Sequence, residues 1–141
     1  MLIGTMEQLP PILITSQDSE RLSRLLDVLP EHNDAARALD HEIARATVVS
    51  PAEMPSDVVT MNSKVVFEDL ETGKRSEVTL VYPHEADYAA GKLSILSAVG
   101  TALLGLRVGQ SIKWELPSGK LGNYRVASIS YQPEASGHPH L

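Results

Sequence analysis

The feature that most constrains the fold of this chain is a change of hydrophobic periodicity across a proline-rich segment, residues 50–57 (SPAEMPSD). Before this segment, apolar residues recur at spacings of three and four, as is typical of amphipathic helices. After it, apolar and polar residues alternate in short stretches that are separated by turn residues, as is typical of strands. The sequence therefore predicts an α+β fold in which helices come first and a sheet follows.

Two short helices are predicted before the proline-rich segment. The first runs from Ser16 to about Val28 and is stopped by Pro30. The second runs from about Asp34 to Val48, and its apolar residues have the spacing of a short coiled-coil seam. Because the connection is brief, the two helices are expected to be antiparallel neighbours and to form a hairpin about 20 Å long. The seam residues are Ala36, Leu39, Ile43 and Ala46.

An antiparallel sheet of four or five strands, with one short helix inserted, is predicted after the proline-rich segment. The helix is a run of small residues, Ala98 to Leu104, closed by Gly105. The predicted strands are residues 64–67, 78–82, 111–116 and 124–131, and residues 58–61 are also expected to be extended. The chain then divides into a leader and helical hairpin (1–49), a linker (50–57), a sheet domain (58–133) and a flexible tail (134–141).

Composition excludes several classes of function. The chain has 141 residues and no cysteine, so disulfides, thiolate catalysis and cysteine metal sites are impossible, and a reducing cytoplasmic location is expected. No apolar run approaches the roughly 18 residues of a membrane span.

The net charge of −6 makes direct, sequence-specific nucleic-acid binding improbable, because phosphates are neutralised by clustered Lys and Arg. No glycine loop of the phosphate-binding type occurs, and no cofactor is expected. A protein partner or a small ligand is the better expectation.

Six segments together resemble the family of regulators of nucleoside diphosphate kinase, which are short relatives of the bacterial Gre transcript-cleavage factors. The similarity covers nearly the whole chain, whereas the similarity to the Gre factors themselves lies mostly in the sheet domain. The segments are Ser50–Pro55, Asp57–Ser63, Leu80–Pro83, Ala102–Gly109, Trp114–Pro117 and Tyr131–Ala135.

The resemblance implies a fold and a partner. The implied sheet domain is like that of the FK506-binding proteins, with an antiparallel sheet wrapped on a short helix. The implied partner is RNA polymerase, bound near its secondary channel, and the implied effect on nucleoside diphosphate kinase is on the level of that enzyme. Residues 85–88 resemble the acidic-aromatic turn of the Gre factors, and residues 97–105 resemble their docking element, with Ala98 at the family's proline position. The partner-binding residues implied are Asp87, Ser97, Ala98, Ala102 and Leu103.

The tip of the predicted hairpin lacks the acidic motif that Gre factors use in catalysis. Those factors bring carboxylates to the polymerase Mg²⁺, a hard cation that takes oxygen ligands. Here the tip offers Glu31, His32 and Asp34 in the sequence EHNDAA, which does not match, and the hairpin is less than half as long. These residues are therefore interpreted as solvated or capping residues, and the protein is predicted not to be an enzyme.

Two other functions remain open at this point. The fold alone allows a prolyl isomerase or chaperone-like module, although its apolar pocket would have to be built from only six Phe, Trp and Tyr residues. The family's name allows direct binding to nucleoside diphosphate kinase. The H-x-H pair His138 and His140 lies near the end of the chain without an evident third metal ligand, so no metal site is predicted. The oligomeric state has no sequence signal.

Overall fold

Seven strands and three helices make up the described part of the computed structural model, which comprises residues 9–30 and 33–138. The helices are α1 (Ser16–Asp27), α2 (Asp34–Arg45) and α3 (Ala98–Leu103). Three short 3-10 turns cover Pro51–Glu53, Pro83–Glu85 and Tyr88–Ala90. The strands are β1 (Leu13–Thr15), β2 (Thr47–Val49), β3 (Lys64–Asp69), β4 (Arg75–Val81), β5 (Lys92–Ser94), β6 (Ser111–Glu115) and β7 (Leu121–Tyr131).

Both N-terminal helices begin at side-chain caps. The Thr15 hydroxyl accepts a hydrogen bond from the Asp18 N–H at 2.9 Å, and the Asn33 amide oxygen accepts one from the Ala36 N–H at 3.0 Å. The second helix ends at Arg45, three residues before the predicted end at Val48. It ends there because residues 47–49 form β2, which pairs in parallel with β1. The sequence analysis missed this pair, since three-residue strands are too short for alternation to be seen.

The main sheet has five strands in the order β5-β4-β3-β7-β6. Its first pairing differs from the predicted antiparallel arrangement, because β4 and β5 are parallel. The connection between them contains the two 3-10 turns of residues 83–90. It returns the chain to the starting end of the sheet, so that β5 runs parallel to β4. The other pairings are antiparallel, so the sheet is mixed and β5 and β6 are its edges.

The helices and the sheet share one hydrophobic core. Leu22 of α1 and Leu39 of α2 are fully buried in the same cluster as Val65, Leu80 and Ile112 of the sheet strands. Each of these two helices has 12 residues, a length of about 18 Å. Their apolar faces are therefore buried against the sheet as well as against each other. No helix in the described residues is long and apolar enough to cross a membrane.

The N-terminal segment is joined to the sheet along a contact that we call the N-terminal seam: residues 12–18 against residues 59–61 and Gly105. The Leu13 N–H donates to the Gly105 carbonyl at 3.2 Å, and the Gly105 N–H donates to the Val59 carbonyl at 2.9 Å. Gly105 has φ +81°, and a Cβ there would lie 2.7 Å from the Ile12 Cβ. Only glycine allows this approach of two backbones.

Candidate protein-binding site

An exposed turn, residues 84–90, lies between β4 and the edge strand β5. Its central residue, Asp87, accepts a hydrogen bond from the Ala89 N–H through Oδ1 at 3.1 Å. The backbone of Asp87 pairs with Lys92 through two hydrogen bonds of 3.0 and 2.9 Å, which holds the turn on the sheet edge. Tyr88 is 72% exposed. The turn thus has a fixed backbone and presents a carboxylate and an aromatic ring to solvent.

The start of α3 is fixed to the other end of β5. The Ser97 hydroxyl accepts a hydrogen bond from the Gly100 N–H at 3.0 Å and donates one to the Ser94 carbonyl at 2.7 Å. Ala98, the first residue of α3, is half-buried. Gly100 packs directly against the Ser94 carbonyl, and a Cβ at position 100 would overlap it. The helix therefore lies as close to β5 as backbone sterics permit.

The edge strand β5 brings Asp87 and Ser97 to one side of the sheet. Asp87 pairs with the first residue of β5 and Ser97 bonds to the last, and these ends are about 7 Å apart in a three-residue strand. We call residues 84–90 with Ser97 and Ala98 the edge surface, although Ala98 also lines a cavity that it shares with Asp34 of α2 and Trp114 of β6. Two other predicted binding residues, Ala102 and Leu103, are fully buried. They lie on the inner face of α3, so they position this surface from the core.

The predicted residues of the hairpin tip are only partly covered by the structure, because Glu31 and His32 lie outside the described residues. Asp34 is exposed as the first residue of α2, next to the Asn33 cap. A negative charge at this position interacts favourably with the helix dipole. The cap of α2 is therefore Asn33, and Asp34 is the exposed residue that follows it.

A buried acidic residue, Asp18, was not singled out as a site by the sequence analysis. It is 2% exposed, and its Oδ2 accepts a hydrogen bond from the Met61 N–H at 3.0 Å. Burial raises the pKa of Asp18 to about 7, although the Met61 hydrogen bond acts in the opposite direction; the charge of Glu134 raises the pKa further, and that of Arg21 lowers it. From sequence alone, Asp18 is indistinguishable from any acidic residue in a first helical turn.

Glu134 is held in the same region by the loop that precedes β3. The Thr60 hydroxyl donates to Glu134 Oε1 at 2.8 Å and also lies 2.8 Å from the Ser63 hydroxyl. The amide nitrogen of Gln132 donates to the carbonyls of Pro55 and Val58 at 2.7 and 2.8 Å. The segment after β7 therefore stabilises the loop before β3, which contains the Met61 N–H that binds Asp18. These polar contacts lie next to the N-terminal seam.

Two of the arginines on α1 and α2 form ion pairs within their own helices. Arg24 pairs with Glu20 on the surface at 2.8 Å. Arg45 makes two hydrogen bonds, of 2.8 and 2.7 Å, to the buried carboxylate of Glu42. In each of these two pairs a carboxylate of the same helix lies beside the guanidinium, and the Arg24–Glu20 pair is the more exposed of the two.

No cluster of three or more metal-ligating residues occurs in residues 9–30 and 33–138. His138 Nδ1 lies 2.9 Å from the Tyr131 hydroxyl, and the two rings are 6.1 Å apart. The second histidine of the H-x-H pair, His140, lies outside the described residues. Nothing in the described part of the chain thus provides a ligand set for a metal.

Two family descriptions match the chain, one for each of its halves. "Transcription elongation factor, GreA/GreB, C-term" matches residues 54–131, and "Rnk N-terminus" matches residues 10–49. The second half therefore contains the whole main sheet and the edge surface, whereas the first half contains the two long helices.

Individual relatives agree with this division. The chain is 48% identical to the "Regulator of nucleoside diphosphate kinase" of Escherichia coli K12 over 130 residues, 91% of this chain and 95% of that protein. It is 39% identical to the transcription elongation factor GreA of Thermodesulfovibrio yellowstonii over 67% of this chain and 59% of that protein.

A solved structure gives the same result for the fold. The GreA/GreB elongation factor from Nitrosomonas europaea superposes with a TM-score of 0.69 at 43% identity, covering 86% of this chain and 99% of that one. The predicted resemblance is confirmed by both the sequence and the fold. The chain belongs to the family of regulators of nucleoside diphosphate kinase, and its C-terminal part belongs to the GreA/GreB family.

Proposed function

We propose that this protein is a non-catalytic transcription regulator that binds RNA polymerase near its secondary channel and competes there with Gre factors. The observation that carries the proposal is the edge surface, which lies within residues 54–131, the part of the chain that matches the elongation factors. We expect a polymerase surface that binds elongation factors to bind this related domain as well, because its turn is exposed and already ordered.

The edge surface has the properties of a protein-binding site. Tyr88 gives little to the core, since it is 72% exposed, yet a tyrosine ring is a common anchor of protein interfaces. Asp87 adds a negative charge on a backbone that is already ordered, so little conformational entropy is lost on binding. Ser97 and Ala98 extend the surface, and Ala102 and Leu103 support it from within.

The helices favour binding without catalysis. At about 18 Å each they are short, and their apolar faces are used in the core. The tip sequence EHNDAA does not match the acidic motif by which Gre factors hold a second Mg²⁺. In our proposal the hairpin occupies the entrance of the channel without reaching the active centre, so the protein excludes Gre factors but does not stimulate transcript cleavage.

The remaining parts of the proposal concern organisation and cellular role. We propose that residues 1–49 act as the channel-facing hairpin, 50–57 as the linker and 58–133 as an FK506-binding-protein-like docking domain, followed by the tail. We also propose that the protein changes the level of nucleoside diphosphate kinase through transcription, in the cytoplasm, and does not contact that enzyme.

Competition binding tests the proposal directly. Core RNA polymerase is titrated with the labelled full-length protein, and GreA is then added as competitor. We expect saturable binding that GreA reverses, and no stimulation of cleavage in a stalled elongation complex. Absence of binding at micromolar polymerase, or cleavage activity that Asp34→Ala abolishes, would overturn the proposal. Binding to isolated nucleoside diphosphate kinase without polymerase would also contradict it.

A further inference from the structure

An open cavity of about 580 Å³ lies between α1 and the segment that follows β4. This volume is within the range of small-molecule sites in proteins. The cavity is lined by α1, by the loop before β3, by the end of β4 and by the end of β7. Its lining includes Arg21, Arg24, Asn62, Tyr82, His84 and Tyr131.

Aromatic rings are concentrated at this cavity although the chain has few. Two of its four tyrosines, Tyr82 and Tyr131, line the cavity together with His84. The rings of Tyr82 and His84 are stacked, with centroids 6.5 Å apart and an angle of 20° between the ring planes. Two nearly parallel rings at an open cavity offer aromatic faces on which a planar ligand can stack.

Cationic groups lie on the α1 side of the same cavity. Arg21 and Arg24 are three residues apart, so they face the same side of the helix. Arg21 acts electrostatically on both Asp18 and Tyr82, and the ion pair of Arg24 with Glu20 is largely exposed to solvent, so an anion can compete for Arg24. Glu85 is the acidic residue of the lining, and it lies on the opposite side from α1.

The Tyr82 hydroxyl is a buried polar atom at this cavity, and Arg21 is its neighbour there. It has no hydrogen bond of strict geometry among the described residues, but the Arg21 guanidinium acts on it both as a hydrogen-bond donor and as a charge, and both effects lower its pKa. Burial, and next the negative charge of Asp18, outweigh Arg21 and raise the pKa of this hydroxyl above its usual value, so it remains an O–H donor at neutral pH.

We propose that this cavity binds a small anion that carries a planar aromatic ring, with the ring on the Tyr82–His84 platform and the anionic group toward Arg21 and Arg24. Nucleotides and aromatic carboxylates share this chemistry. The site adjoins the edge surface and shares His84 and Glu85 with it, whereas Asp87 and Tyr88 do not line the cavity.

Titration of the full-length ¹⁵N-labelled protein, followed by amide chemical shifts, tests the proposal. The probes are adenosine 5′-monophosphate and 2-naphthoate, each added to about 5 mM, which detects dissociation constants below about 1 mM. Adenosine and inorganic phosphate are added separately, because each carries only one half of the proposed ligand. We expect saturable shifts at residues 21–25, 62, 82–85 and 131 with at least one of the two aromatic anions, and much weaker effects with adenosine or phosphate.

Two variants at the cavity and one variant outside it complete the design. His84→Ala should weaken binding roughly tenfold through loss of stacking, and Arg24→Gln up to about fivefold through loss of charge. Lys113→Gln removes an exposed cation outside this cavity and should change nothing. Absence of saturable shifts with both aromatic anions, equal binding of phosphate or adenosine alone, or equal effects of Lys113→Gln and Arg24→Gln would overturn the proposal.

Discussion

The N-terminal seam and the edge surface use the same residue type in opposite ways. Asp18 and Asp87 both lie at the start of a helical turn and both accept a backbone hydrogen bond, at 3.0 and 3.1 Å. Asp18 is buried and bonds to Met61, which is distant in sequence, whereas Asp87 is exposed and bonds to Ala89, two residues away. The seam therefore stabilises the fold, and the edge surface can be changed without unfolding the protein.

The largest expected effect is that of Gly105→Ala at the seam. The new methyl group would lie 2.7 Å from the Ile12 Cβ and 2.9 Å from the Leu13 carbonyl oxygen, at a φ of +81°. We expect a loss of at least about 3 kcal/mol in the free energy of unfolding, measured by urea denaturation. Gly119→Ala is the matched control, since its φ is +86° with no atom within 4 Å. Equal losses in the two variants would show that the seam is not tightly packed.

Asp18→Ala should have the next largest effect. The substitution leaves the buried Met61 N–H without its acceptor, which costs about 1–3 kcal/mol in the free energy of unfolding. Asp40→Ala, an exposed position on α2, should change stability by less than about 0.5 kcal/mol. If the two variants were equally stable, Asp18 could not be a structural residue of the seam.

The pH dependence of stability separates the charge of Asp18 from its hydrogen bond. Because the pKa rises from 3.8 to about 7 on folding, the contribution of this carboxyl is fully present below pH 3.8 and is lost as the pH rises through about 7. Asp18→Asn stays neutral and retains an acceptor for Met61. Relative to the variant, the wild-type protein should therefore become less stable as the pH is raised from about 5 to about 8. Parallel stability–pH curves would contradict the raised pKa.

At the edge surface, Tyr88→Ala should reduce affinity for RNA polymerase about tenfold or more while stability changes by less than about 0.5 kcal/mol. Asp87→Asn should give a smaller loss of affinity, since it removes the charge but keeps the acceptor for the Ala89 N–H. Leu121→Ala provides the control, because Leu121 is an exposed apolar residue on β7, 53% accessible, outside the edge surface. Affinities that are unchanged in both turn variants would exclude this surface as the docking site.

The smallest effect is expected for Asp34→Ala at the start of α2, the tip of the proposed hairpin. Loss of a favourable dipole interaction costs about 0.3–1 kcal/mol at most, and polymerase affinity should remain within about twofold of wild type. The same binding titration used for Tyr88→Ala measures it. A loss larger than that of Tyr88→Ala would mean that the tip, and not the edge surface, dominates binding.

The two N-terminal helices, the later sheet and the family could be predicted from the sequence, because helical spacing, strand alternation and the motif segments are local patterns. It predicted the start of α1, the cap at Asn33 or Asp34 and the placement of β6 correctly. It also related residues 85–88 and 97–105 to elements of the Gre factors, and the structure shows that the edge strand β5 lies between them.

Features that depend on contacts between residues distant in sequence became evident from the fold and not from the sequence. The parallel pairing of β1 with β2 and of β4 with β5 follows from how the chain crosses over, not from alternation. The burial of Asp18 follows from the approach of Met61, 43 residues away. The cavity likewise unites rings from separate elements, which composition alone made improbable. In each case the free energy that fixes the feature comes from desolvation and packing at a particular place in the fold. Local sequence patterns do not specify that place.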